Sequence, residues 1–427
     1  LGMKRLTKIV VFIDNNLLNF FLFAFFLIRI PPFYLFYPLK SSLLTTHTLA
    51  RLLIAFIFGG IVTKSILKKK PLFGEKNRNI LILFLIYFFF QSVSVISSVN
   101  LSSFFQRYKD IVFPGLFLFL VVYFKIHYRK IISVLLVTLV VNFFYQIVIF
   151  LAPSFFQSMG EVFIYQSHFD LVFINLERSR IFIETYDEIV IPLIVIALAV
   201  AKDKREKILM FLMFSMAVLP SFLSNFRSRI LMLVFAVFTS FFFLLKKRFF
   251  HKTIILSAFL IFGYLTYIVL TTIFGFSFVD RFEMKDKKED VMTVESRINN
   301  IGASLDMAAG SPFFGVGLGN YYDYLPGTKK IRLSLFNWKN KESEIASTNP
   351  HNIFAQILSE TGFVSLIFYI LMIGYFVFYD WRTLKESNNP YPKGFIISFW
   401  TLFIYSLFNP TTTLIYNLLF WMLRGLI

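Results

Sequence analysis

Long apolar runs broken by short charged punctuation dominate this chain. They fall at 10–30, 43–66, 79–98, 110–126, 131–152, 187–201, 207–224, 228–245, 253–275, 358–379, 394–409 and 411–425. About 20 apolar residues in a helix cross the hydrocarbon of a bilayer, so most of these runs have the length of a span. The pattern predicts an all-α, polytopic integral membrane protein of about 12 transmembrane helices, with both termini cytoplasmic. The first run follows Lys4-Arg5, as a signal peptide would. No small-residue cleavage site comes after it, and apolar sequence continues to Pro31-Pro32, so it reads as a retained first span.

Polar segments divide the chain further. Residues 1–275 form a transmembrane bundle of about nine spans, 276–351 a long loop on the non-cytoplasmic (periplasmic) side, and 352–427 about three more spans. The long loop carries ten basic and ten acidic residues, so its charge balances. It predicts an amphipathic helix over Val294–Ala309, then a glycine-rich turn, Pro312-Phe-Phe-Gly315-Val-Gly317-Leu-Gly319. A loop of this length in a compact protein is usually functional or disordered. Its aromatic residues, Phe313, Phe314, Tyr321, Tyr322, Tyr324, Phe336 and Trp338, argue against disorder. No internal repeat is visible, which counts against a transporter or lipid-linked oligosaccharide flippase.

Composition agrees with the pattern. Of 427 residues 57% are hydrophobic, with 60 Phe and a mean hydropathy of +0.71, well beyond the usual soluble domain. There is no cysteine, which excludes disulfides, thiolate catalysis and cysteine-based metal sites. The net charge of +19 would suggest nucleic acid if it were spread over the surface. Instead the predicted cytoplasmic segments, from Lys4 and Arg5 through Lys68-Lys69-Lys70 and Lys246-Lys247-Arg248 to Arg424, account for the whole surplus. That is the positive-inside pattern of a membrane protein, and no nucleic-acid partner is needed.

Few residues on the other face could carry chemistry. His127 and His251 fall in cytoplasmic basic clusters and read as solvated loop residues; His47 reads as a satisfied interface residue. His168 lies in the 153–186 loop. His351 has the most suggestive setting: Thr348-Asn349-Pro350-His351-Asn352 reads as a helix start with Pro at the first helical position. The positive end of the helix dipole would keep the imidazole neutral, able to accept a proton, and would attract phosphate. Asn225-Phe-Arg227-Ser-Arg229 reads as a very short outward turn between two spans. Two guanidiniums are unusual there, and each is a planar fork suited to phosphate oxygens. Arg297 lies in the amphipathic stretch and Arg51 inside the second span. The outward loops show no Asp-x-Asp, no His-Glu-x-x-His and no carboxylate triplet spaced for a divalent cation, so neither metal nor cofactor is expected. Arginines with one neutral histidine suit transfer from an already activated leaving group, such as a lipid diphosphate.

These residues resemble the O-antigen ligase and O-antigen polymerase superfamily of bacterial membrane glycosyltransferases. His351-Asn352, nine residues and Gly362 are similar to the ligases' His motif, except that Ser365 stands where Gly, Thr or Tyr is usual. An Arg-x-x-x-Leu motif fits Arg229 with Leu233 and equally Arg227 with Leu231; the Ser228-Arg229 pair looks more like the family's. The stretch from Arg297 through Pro312, Gly315 and Gly317 to Asn320 resembles the arrangement ahead of the His. The resemblance implies a GT-C-like helical fold and metal-independent, inverting transfer of an undecaprenyl-diphosphate-linked oligosaccharide in the inner membrane. It implies Arg229, Arg227 and Arg297 as diphosphate-binding and His351 as the catalytic base. The acceptor would be another lipid-linked repeat, for a polymerase, or lipid A core, for a ligase; the departure at Ser365 leans toward polymerase. The implied partners are the lipid-linked donor, the acceptor glycan, the bilayer and a chain-length regulator.

Overall fold

The computed structural model describes residues 2–31, 45–68, 78–151, 173–175, 180–182, 185–223, 226–244, 264, 268, 272, 287–325, 350–409, 411 and 413–427. Helices fall close to the predicted runs: α1 Gly2–Arg29, α2 Thr46–Lys68, α3 Arg78–Val93, α4 Leu101–Phe124, α5 Tyr128–Leu151, α6 Ile191–Val200, α7 Lys204–Leu223 and α8 Arg227–Leu244. After them come α9 Lys287–Gly310, α10 Ile353–Glu386, α11 Pro390–Ser406 and α12 Leu414–Leu426. The run expected at 253–275 lies outside the described residues but for three positions. The described residues are helical apart from short turns and one antiparallel pair, Phe173–Asn175 with Arg180–Phe182.

Among the described residues, α2, α3, α5, α8 and α10 are long and apolar enough to cross a membrane, and Asn16–Arg29 and Leu414–Leu426 are shorter apolar stretches. The chain is a multi-pass membrane protein. Its large side chains divide accordingly, some packed inside and others facing outward. Phe21, Phe117, Phe395, Phe399 and Trp421 are buried where α1, α4, α11 and α12 meet, while Phe56, Phe89 and Phe378 face out. α12 packs along α4, and α11 against α8 and α6.

Several helices start earlier than their apolar runs, and for α4 the reason is local. α4 begins at Leu101 because Asn100 accepts from the backbone N–H groups of Ser102 and Ser103, satisfying donors that an uncapped helix leaves bare. The charges this adds to the helix are engaged: Asp110 pairs with Arg51 at 3.4 Å, and Arg107 Nη2 donates to the Thr411 carbonyl at 2.9 Å. α9 begins at Lys287, seven residues before the expected start at Val294, and runs to Gly310. At the far end of α12, Arg424, counted among the cytoplasmic charges, forms a buried bidentate pair with Asp380. Trp400 Nε1 donates to the same carboxylate at 2.7 Å, and the guanidinium lies 3.7 Å from the Phe399 ring centroid.

Candidate active site

The polar residues gather where α1, α7 and α11 end and α4, α8, α10 and α12 begin. Hydrogen bonds tie these ends together: Arg107 to Thr411, Tyr186 to Thr413, and Asn352 Nδ2 to the Leu407 carbonyl at 3.1 Å.

Arg227 and Arg229 are in the first turn of α8 rather than in a loop ahead of it. Two residues apart on a helix are about 200° apart around its axis, so the two side chains leave on different sides. Arg229 points inward and is 2% exposed. Its Nε donates to Glu188 Oε1 at 2.6 Å, and Ser221 Oγ donates to the same oxygen at 2.6 Å. Nη1 and Nη2 of Arg229 and Oε2 of Glu188 are buried with no partner among the described residues. Glu188 follows Asp187 in a tight 3-10 turn, Asp187–Val190, entered through Tyr186 in a left-handed conformation. Asp187 turns to the other side, accepting from Arg29, Asn142, Gln146 and Thr185 at 2.6–3.3 Å. Adjacent carboxylates thus hold two buried arginines from different helices.

His351 sits just before α10 with φ of 53°, in the left-handed region that non-glycine residues seldom occupy. The helix cap is Asn352, whose Oδ1 accepts from Phe354 N at 2.9 Å and Ala355 N at 3.1 Å. This corrects the reading in which Pro350 opened the helix: Pro350 and His351 precede the cap. The imidazole is kept neutral, though not mainly by the dipole. Burial pushes its pKa down to about 4, with the positive charge of Arg297 as the second cause. Its Nδ1 is buried and has no partner among the described residues. Arg297, on α9, is itself lowered by burial first and then by Arg227, with Tyr405 acting in the opposite direction; as a guanidinium it stays charged. Tyr405 also acts on Arg229. His351, Arg297, Arg227 and Tyr405 therefore lie close together, and among the described residues no carboxylate is one of the groups acting on Arg297.

A histidine lowered in this way titrates far below its solution value, which gives a pH expectation. The neutral form persists until pH falls through about 4, so an activity that needs it should keep its acid limb near there, not at 6–7. Arg297→Gln removes one of the two causes and should move that limb upward. A limb at 6–7 in the unmutated protein would show the imidazole to be solvated. For stability the sign is the usual one for a depressed group: nothing is lost above about 6.5, and stability falls as pH drops toward 4, where only the unfolded chain binds the proton.

The glycine motifs prove to be one unit. α10 breaks at Gly362, with φ 85° and ψ 177°. In an unbroken helix the carbonyls of Ser359 and Glu360 would accept from residues four ahead. Instead they accept from Val316 N at 2.8 Å and Gly317 N at 3.0 Å, and Phe363 N donates to the Pro312 carbonyl at 2.7 Å. The Pro312–Gly319 loop therefore satisfies backbone groups that the break at Gly362 leaves bare. Backbones approach so closely that a Cβ at Gly362 would fall 2.5 Å from the Phe313 carbonyl carbon, and one at Gly315 would fall 2.5 Å from Ser359 O. Gly317 packs on Ser98, and a Cβ there would fall 2.6 Å from its Cα. A further chain fastens the unit: Gln356 Nε2 donates to Glu360 at 3.3 Å, and Thr411 Oγ1 donates to Gln356 at 3.2 Å.

The motif reading missed Glu188, Asp187, Arg29, Glu360 and Tyr405. The first four carried a usable signal, since ionisable residues at the edge of or within apolar runs are costly and generally paired or functional. Tyr405 carried none. His168 lies outside the described residues.

This is a helical membrane bundle with several buried charged groups and a neutral imidazole at one end. Residues 212–370, which run from before Arg227 past Gly362, match the family model described as O-antigen ligase. Over that segment the likeness to the O-antigen ligase and polymerase superfamily, whose members are glycosyltransferase-like enzymes, stands on independent ground. No curated protein matches the chain.

Proposed function

We propose that this chain moves an undecaprenyl-diphosphate-linked glycan to an acceptor sugar hydroxyl on the outer face of the inner membrane, within a bundle of about twelve crossings. The observation that carries the reading is the meeting of Arg227 and Arg297 beside neutral His351. The planar forks of two neighbouring guanidiniums match the oxygens of a diphosphate. Arg229, its Nε fixed by Glu188, has Nη1 and Nη2 left over among the described residues.

In the proposed reaction the acceptor oxygen attacks the donor's anomeric carbon from the face opposite the diphosphate. The new C–O bond forms as the old one breaks, giving inversion. The electron pair leaves with the lipid diphosphate, whose growing charge the arginines neutralise. The hydroxyl proton goes to the unprotonated ring nitrogen of His351. In this scheme the guanidiniums take the place of a metal ion.

Replacing Arg297 or Arg227 by Gln is expected to weaken capture of an undecaprenyl diphosphate roughly ten- to a hundredfold, the worth of a charge-assisted hydrogen bond. Arg227→Lys should recover little, because a point charge lacks the fork. Binding of the radiolabelled lipid to protein in nanodiscs reads this directly, and unchanged affinity would remove that arginine from the site. The departure from the ligase motif at Ser365 supports the polymerase form; transfer to lipid A core is the alternative, and the family match fits both. Lipid-linked repeat supplied alone should lengthen with the polymerase and stay unchanged with the ligase.

A further inference from the structure

The Pro312–Gly319 loop belongs to a segment that composition alone assigns to water, yet it exposes two aromatic rings. Phe313 is 68% exposed and Phe314 41%. They cannot withdraw, because the backbone around them is moored to two membrane-crossing elements. Phe363 N and the carbonyls of Ser359 and Glu360 hold it to α10, and Ser97 Oγ donates to the Phe314 carbonyl from the end of α3. Leu318 is buried in a cluster with Phe104 and Ile111, against which pack the α3 residues Tyr87 and Phe88, a full turn or more inside that helix. The loop's depth is therefore set by the spans, together with α9, whose Ala303 and Met307 share a buried cluster with Val316.

The surroundings of the two rings are apolar and exposed as well. Ile96 and Val99 flank them on the α3 side and Phe363 on the α10 side, each more than half exposed. Along α10 this band continues through Val364 into Ile367, also exposed, on a helix long and apolar enough to cross the membrane, and on α3 Phe89 is exposed further along. A patch continuous with lipid-facing surface, on a backbone with no freedom to turn away, has one fitting occupant.

We propose that Phe313 and Phe314 are inserted into the lipid leaflet on the site's side of the membrane, at the boundary of acyl chains and head groups. They moor the glycine loop, and through the Gly362 break the start of α10 with His351, at head-group depth. Aromatic rings are favoured at that boundary. The proposal rests on the spans and the loop geometry, and holds whatever reaction the site performs.

The chain has no cysteine, so Phe313→Cys and Phe314→Cys each give a single labelling position in the full protein. A nitroxide attached there, with the protein in phosphatidylcholine–phosphatidylglycerol nanodiscs, is expected to collide more with oxygen than with a water-soluble nickel chelate. It should resemble Ile367→Cys, which is lipid-facing, and differ from Ser387→Cys in the loop between α10 and α11. Preferential collision with the chelate would mean the rings face water; protection from both would mean protein covers them. Either result overturns the proposal. If the phenylalanine variants fail to accumulate, Val99→Cys on the same band gives the same reading.

Discussion

Glycan transfer by His351→Ala is expected to fall roughly 10²–10⁴-fold, the usual worth of a positioned general base. Affinity for the lipid diphosphate should barely change, since an imidazole held neutral by burial and by Arg297 contributes no charge to that anion. The two readings are separable: turnover from a gel assay of product length, affinity from equilibrium capture of the labelled lipid. A variant that reaches normal membrane levels and turns over normally would end the role assigned to His351. Equal loss of affinity and turnover would make it a binding residue instead.

Glu188→Ala is expected to cost about 3–5 kcal/mol of stability, the range for stripping one partner from a buried ion pair. Arg229 would keep its charge at 2% exposure, with its Nε and the Ser221 hydroxyl both losing their acceptor. Because desolvation, not attraction, sets the size of this penalty, Glu188→Leu combined with Arg229→Met should return most of the stability. Diphosphate capture should not return with it. Unfolding of the purified protein in detergent measures the first quantity and lipid capture the second. A single variant as stable as the parent would mean that water or lipid head groups reach Arg229.

How far the sequence could be read depended on the range of the interactions. Helix positions were legible because a bilayer-crossing helix needs a long apolar run. Boundaries slipped where a polar cap outweighed hydropathy: Asn100 starts α4 nine residues before its apolar run, and Asn352 starts α10 five before its own. His351, Arg227, Arg229 and Arg297 could be picked out singly as residue types out of place. Their surroundings could not. Glu188 is 41 positions from Arg229, Asp187 is 158 from Arg29, and nothing local at any of the four names its partner. The glycines show the same divide: Gly315, Gly317 and Gly362 stood out, but only the fold reveals that the first two lie in the gap made by the third.

The break at Gly362 also turns a stretch of sequence into a measuring rod. Nine residues separate Asn352 from Gly362, and at about 1.5 Å each they set the histidine some 15 Å along the helix from the seated loop. Length alone does not fix the arrangement. Each residue also advances the helix by about 100°, so one more or one fewer would swing the imidazole away from Arg297 while leaving the loop in its seat. The interval is thereby constrained in number more tightly than in kind: a side chain within it can change, whereas the count itself is a coordinate of the active centre.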